Sequence, residues 1–254
     1  SFSKNFNIKS IKFPENSALE TIEKDSFSYS SIEHIYIPSK VNELQDGWLN
    51  YTSKLTNITI SPENEHFKYD DERNFIFGRS DSKSSTFDII ISANRYIRIA
   101  EIPAFIRHIS SYAFSYCLSL KIIIFCENSK LETIGDNAFL CSSIIDIKIP
   151  KNVRQIKENT FSFCKFLQKV DFETNSELRE IDQFAFSFSS LKKLSIPEKV
   201  EELKDDWCNY TTNLSSVSIS PGNNNFKYLD ENNQIIIGKS NQKNEFFDSI
   251  FFAS

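Results

Sequence analysis

The chain has 254 residues, 40% of them hydrophobic and 25% charged, with a formal net charge of −5 and a pI near 5.4. That composition supplies a sizeable core and excludes a disordered chain, while an acidic balance without any Lys/Arg cluster excludes a phosphate-tracking nucleic-acid surface. No apolar run reaches the ~18 residues of a membrane-spanning helix, and the longest stretches, such as Ile122–Phe125 and Ile235–Ile237, have strand length.

From the N-terminus, the first predicted unit is LETIEKDSF: an aliphatic residue, two variable ones, a second aliphatic, four variable, then an aromatic, Phe27. IEHIYIP follows, with β-branched residues alternating in and out and a proline to stop it, the pattern of a strand with one buried face. VNELQDGWL then aligns Trp48 with the aromatic slot, before the strand LTNITIS. At Ser61 the pattern breaks for SPENEHFKYDDERNFIFGRS, read as a hairpin insert over 61–102 that closes with the apolar strands FDIIIS and YIRIAEIP. The units resume as IRHISSYAF with LKIIIF, LETIGDNAF with IIDIKIP, VRQIKENTF with LQKVDF, LREIDQFAF with LKKLSIP, and VEELKDDWC with LSSVSIS. At Ser220, 159 positions after Ser61, the odd phrase returns as SPGNNNFKYLDENNQIIIGKS, predicting a second insert over 220–254. The aromatic slots Phe27, Trp48, Phe114, Phe139, Phe161, Phe186 and Trp207 are 21, 66, 25, 22, 25 and 21 residues apart. Repetition at such periods is architectural, and a unit this short buries its apolar face only by stacking on its neighbours.

These units resemble the BspA-like (treponemal-type) leucine-rich repeat over essentially the whole chain. The AF core of ISSYAFSYCLSL and IGDNAFLCSSI and the strand-plus-proline ending carry the resemblance. It implies a leucine-rich-repeat solenoid, β-rich, with a parallel sheet on the concave face, short helical turns on the convex side and β-hairpin inserts. The expected organisation is one domain over 1–254 with about seven repeats. With no methionine, and a second insert that stops at FFAS, the chain reads as an excised or processed piece of a longer protein.

Reactive chemistry is not expected. The five cysteines include no C-x-x-C pair, and Cys117 and Cys164 fall in a slot that holds Ser30, Ser142 and Ser189 elsewhere, so free buried thiols are expected over a metal site or a disulfide framework. The three histidines, His34, His66 and His108, occupy different slots with no nucleophile at motif spacing. IIIGKS and FIFGRS imitate the end of a P-loop, but Asn233 and Arg73 stand where its first glycine belongs, so Gly78 and Gly238 read as hairpin turns. DENNQI imitates a calcium loop, with Ile235 where glycine is required. No cofactor and no enzymatic activity are expected.

What remains is surface. Outward strand positions form two columns: His34, Asn57, Ile122, Asp146, Lys169, Lys193, Ser216, and Tyr36, Thr59, Ile124, Lys148, Asp171, Ser195, Ser218. The pairs Asp146–Lys169 and Lys148–Asp171 are expected to satisfy each other across strands. His34, Tyr36, Ile122, Ile124 and Lys193 are the candidate partner-binding residues; outward isoleucines are either covered by the neighbouring insert or form an apolar contact patch. Of four N-x-S/T sequons, a number chance produces in this composition, Asn50 and Asn209 occupy equivalent turns and are the candidate glycosylation sites. The family resemblance implies a cell-surface or secreted adhesion module that binds a protein ligand such as a host extracellular or matrix protein; an intracellular scaffold, at cytoplasmic location, is the alternative. No nucleic acid and no membrane span enter either reading.

Overall fold

The structure, a computed structural model, describes residues 1–14, 16–81, 85–239 and 247–253. It begins with β1 (Ser10–Ile11), β2 (Thr21–Ile22), β3 (His34–Ile37), β4 (Glu43–Leu44) and β5 (Asn57–Ile60), then an insert of β6 (Lys68–Tyr69), β7 (Phe75–Gly78) and β8 (Ile89–Ala93). Next come β9 (Ile99–Ile102), β10 (His108–Ile109), β11 (Ile122–Phe125), β12 (Thr133–Ile134), β13 (Asp146–Ile149), β14 (Gln155–Ile156) and β15 (Lys169–Phe172). The series ends with β16 (Glu180–Ile181), β17 (Lys193–Ile196), β18 (Glu202–Leu203), β19 (Ser216–Ile219), β20 (Phe226–Tyr228), β21 (Ile235–Gly238) and β22 (Ser249–Ala253).

The chain winds as a solenoid whose coils each contribute one strand to a long face and one two-residue strand to a short face. The long face has three parallel runs, β1-β3-β5, β9-β11 and β13-β15-β17-β19. The short face has β2-β4 and the parallel run β8-β10-β12-β14-β16-β18. Two long-face strands, β1 and β9, lie outside the predicted repeats. The coil of β1 opens at Phe2, which stacks on Phe27 at 5.6 Å, and the N–H groups of Phe2 and Lys4 donate to Ser26 and Ser28. The motif starts eight residues ahead of its aromatic and Phe2 is the second residue of the sequence, so the motif passes this coil by.

Phe114, Phe139, Phe161 and Phe186 are fully buried and stack face to face at 4.9, 5.3 and 5.5 Å. Strands in a sheet lie about 4.8 Å apart, so one ring per coil meets its neighbours near van der Waals contact.

No helix occurs among the described residues, which corrects the expected helical turns. Each aromatic sits instead between two left-handed residues: Asn137 (φ 57°) and Cys141 (φ 57°) around Phe139, Asn159 (φ 54°) and Phe163 (φ 58°) around Phe161. A helix would turn its N–H groups back along its own chain. Here Phe139 N–H donates to Thr160 O at 2.9 Å and Cys141 N–H to Ser162 O at 3.0 Å, and Phe161 and Phe163 repeat this toward Ala185 and Ser187. The turn is a third coil-to-coil ladder, and its bonds offset the roughly 1 kcal/mol or more that each non-glycine left-handed residue costs.

The same landmarks correct the tryptophan alignment. Left-handed Gly47 and Tyr51 flank Leu49, and Asp206 and Tyr210 flank Cys208. Trp48 O and Trp207 O accept from Phe27 and Phe186 as Ala138 O accepts from Phe114. Each indole therefore occupies the small alanine slot, with its follower in the aromatic slot, and meets its phenylalanine edge-on at 76° and 88°. A large-small swap conserves volume. Only three residues separate Leu44 from Trp48, against four between Ile22 and Phe27, which marks the shift in the sequence itself.

The insert is narrower than 61–102. β6 and β7 form the antiparallel hairpin, but β8 already pairs parallel with β10, and β9 with β11. β7 is a partition: Phe75 and Phe77 face the larger apolar cluster, Ile76 the smaller one around Trp48. The doubled phrase now has a physical reason. Asn64 Nδ2 donates to Pro38 O (2.7 Å) and Val41 O (2.9 Å) while its Oδ1 accepts from His66 and Phe67 N–H; Asn223 repeats this with Pro197, Val200, Asn225 and Phe226. Tyr69 hydroxyl donates to Ile58 O, and Tyr228 hydroxyl to Val217 O at 3.3 Å, so each copy covers the free edge of a long-face strand. Gly78 and Gly238 end strands rather than form turns; a Cβ there would lie 2.9 Å from Ile91 and 2.8 Å from Phe226 and Phe251.

Two outcomes are expected in thermal and denaturant melts. Phe139→Ala, which empties the middle of the ring column, destabilises by about 3–5 kcal/mol. Asn64→Asp, which removes two donors and sets a negative charge against two carbonyls, destabilises by about 2–3 kcal/mol. An unchanged melt for either contradicts the role assigned to it.

Candidate recognition surface

On the long face the first and third residue of each strand point outward and the second inward, as in the exposed–buried alternation of β9, β13 and β17. The five candidate residues do not converge. His34 and Tyr36 lie on β3, Ile122 and Ile124 on β11 and Lys193 on β17, one group in each of the three runs. His34 Nδ1 lies 3.4 Å from Thr56 Oγ1, a contact within the sheet.

The insert leaves the outward isoleucines uncovered: Ile122 is 42% and Ile124 44% exposed. Register sets Ile99, 50% exposed, beside Ile122, and Glu101 beside Ile124. Ile99 was missed because its strand was counted in the insert; the strand-plus-proline ending of YIRIAEIP was the available signal. Three outward isoleucines on two paired strands form an apolar centre on an otherwise polar face.

The expected cross-strand ion pairs change partners. Asp146 is in register with Lys169 and Lys148 with Asp171, yet the ion pair that forms runs along one strand, Lys169 Nζ to Asp171 Oδ2 at 2.6 Å. The hydrogen bond and charge of Asp171 hold the Lys169 ammonium above its usual pKa. Lys148 and Lys193 border, with Ser195 and Ser218, a groove of about 880 Å³ along β13–β19.

A second surface escaped the sequence reading. The left-handed residue after each core ring points out of the turn, and these residues pack ring against ring: Tyr29 stacks on Tyr51 at 4.0 Å, Tyr51 meets Tyr116 at 4.1 Å with the rings tilted by 45°, and Phe163 stacks on Phe188 at 4.4 Å and Phe188 on Tyr210 at 4.7 Å. Cys141 stands in the same slot between the two stacks. Burial and the Tyr51 contact push the Tyr29 phenol up to about 12. Because the faces cover one another, the ladder offers mainly ring edges to solvent.

Asn50 does not suit its expected role. It is 6% exposed, in the inward slot where Ser28, Ser115, Ser162 and Ser187 are also buried, and its side-chain Oδ1 is buried without a partner, so the fold leaves no room for a glycan. The left-handed residues on either side turn that side chain into the coil. Asn209 is half-buried. Cys117 and Cys164 are free and fully buried, as expected; burial raises both thiols, Cys164 to about 12, and Cys164 Sγ donates to Phe139 O at 3.0 Å. Among the described residues no group of three or more His, Cys, Asp or Glu could hold a metal, and no helix is long and apolar enough to cross a membrane.

No curated protein matches the chain. Among solved structures, a leucine-rich repeat protein from Eubacterium ventriosum is 23% identical with a TM-score of 0.63, over 83% of this chain and 54% of its own. A leucine rich cell surface protein from Faecalibacterium prausnitzii is 18% identical with a TM-score of 0.65, over 84% and 60%. The pneumococcal vaccine antigen PcpA is 23% identical with a TM-score of 0.51, over 91% and 47%. The chain thus spans about half to three-fifths of the length of these structures, and at such identity they share its fold. The model of the BspA type leucine rich repeat region matches residues 1–80 and 91–215 in six copies, and this chain belongs to that family.

Proposed function

We propose that the chain acts as one domain over 1–254 and as a non-enzymatic protein-binding module of a cell-surface or secreted adhesion-type protein, recognising host or neighbouring-cell proteins. The observation that carries the binding role is the uncovered apolar centre at Ile99, Ile122 and Ile124, set in a polar sheet. Exposed isoleucines on a regular sheet are costly in water and gain free energy when a partner covers them. His34 and Tyr36 on one side and Lys193 on the other are the polar rim in this reading, and Asn209 is the one remaining candidate for a glycan. The words "cell surface protein" for the Faecalibacterium neighbour support the location. The second reading, an intracellular scaffold using the same face, is favoured by free thiols at all five cysteines.

Ile122→Lys weakens capture of a partner at least about ten-fold, and Tyr36→Ala weakens it less, with circular dichroism and melting unchanged. Unchanged capture by both removes the long face from the proposal. Labelling intact cells with a membrane-impermeant reagent separates the locations: labelled protein supports the surface reading, and protein labelled only after lysis supports the scaffold.

A further inference from the structure

The long face has a break between β5 and β9, bridged by the insert, and a cavity of about 150 Å³ lies beside β5 at this break. Arg73 and Arg95 both line it and no Asp or Glu does, in a chain whose net charge is −5. Neither arginine takes part in an ion pair among the described residues. Two carboxylates of the hairpin turn are already engaged, Asp70 by Phe75 N–H and Glu72 by Asn74 Nδ2.

Arg95 is only 7% exposed. It follows β8 where the regular coils place their outward aromatic, but it is turned inward: Nη2 donates to Leu49 O and Nη1 to Ala113 O, both at 3.4 Å, Nη1 lies 3.9 Å from Cys117 Sγ, and Nε has no partner. A buried guanidinium held by long bonds to neutral acceptors, with a donor to spare, retains a strong preference for an anion. The fork of a guanidinium fits two coplanar oxygens. The remaining wall is mixed, with Asn57 and Asn74 beside the apolar Ile58 and Phe75.

We propose that this cavity is a binding site for a short aliphatic carboxylate, its oxygens between Arg73 and Arg95 and its carbon chain against Ile58 and Phe75. The apolar half of the wall disfavours a fully hydrated inorganic anion, and the volume admits only a few heavy atoms. The ligand is a free short-chain acid or the end of a glutamate side chain, which present the same group. The first alternative is independent of the docking role proposed above.

The test is a titration of the ¹⁵N-labelled full chain, followed by amide shifts at Asn57, Asn74 and Asn94. The probes are propionate, glutamate capped at both termini, and propionamide as the neutral isostere. Saturable shifts with at least one carboxylate and none with propionamide are expected; saturation by propionate alone assigns a free acid, and by capped glutamate alone a side chain. Arg73→Gln, at an exposed turn position, weakens binding about five-fold or more and leaves the melt unchanged. Arg73 is chosen because Arg95 also ties two coils together. Equal shifts with propionamide, no saturation with either carboxylate, or an unchanged affinity in Arg73→Gln overturns the proposal.

Discussion

The structure depends on one spacing. Parallel strands hydrogen-bond about 4.8 Å apart, and flat rings stack at nearly that distance, so a chain that puts one phenylalanine at a fixed point of every coil satisfies backbone and core together. The column Phe114–Phe139–Phe161–Phe186, at 4.9 to 5.5 Å, is that coincidence realised. The left-handed turns follow from it. They aim the ring inward and, by the same rotation, send N–H groups to the next coil's carbonyls, so that even the corners of the solenoid are laddered.

Where the spacing is interrupted, the chain uses specific side chains as substitutes for backbone. Asn64 and Asn223 stand in for missing N–H donors to the preceding corner, Tyr69 and Tyr228 occupy the open edge of a long-face strand, and Arg95 joins Leu49 O to Ala113 O, across the same two turns that the Tyr51 and Tyr116 rings bring together. The first copy ends one run of the sheet before another begins, and in both copies the asparagine and tyrosine pair backbone groups that the ladder no longer reaches. It also divides the core, with β7 showing alternate residues to the two apolar clusters.

Surface chemistry is a by-product of the same winding. Each coil offers two outward residues on the long face and one at the turn, so any property repeated in the sequence becomes a stripe: isoleucines at β9–β11, lysines and serines along β13–β19, aromatic edges at the turns. At the break by the insert a partly open cavity lies beside β5, where strand pairing no longer fills the space.

The sequence by itself determined the solenoid, the seven units it named, the strand faces and the buried slots of Cys117 and Cys164, because periodicity is a one-dimensional property and stacking converts it directly into neighbours. It could not fix quantities set between coils. The ladder, not local propensity, decided that the turns are left-handed and not helical, and with them that Asn50 is buried and Tyr29, Phe163 and Phe188 are outward. The slot of Trp48 and Trp207, by contrast, was legible in the spacing ahead of them, with three residues between each and Leu44 or Leu203 against four between Ile22 and Phe27. Pairing of β9 with β11 returned Ile99 to the face, and only folding of the hairpin against β5 brought Arg73 and Arg95, 22 residues apart in the chain, to one cavity.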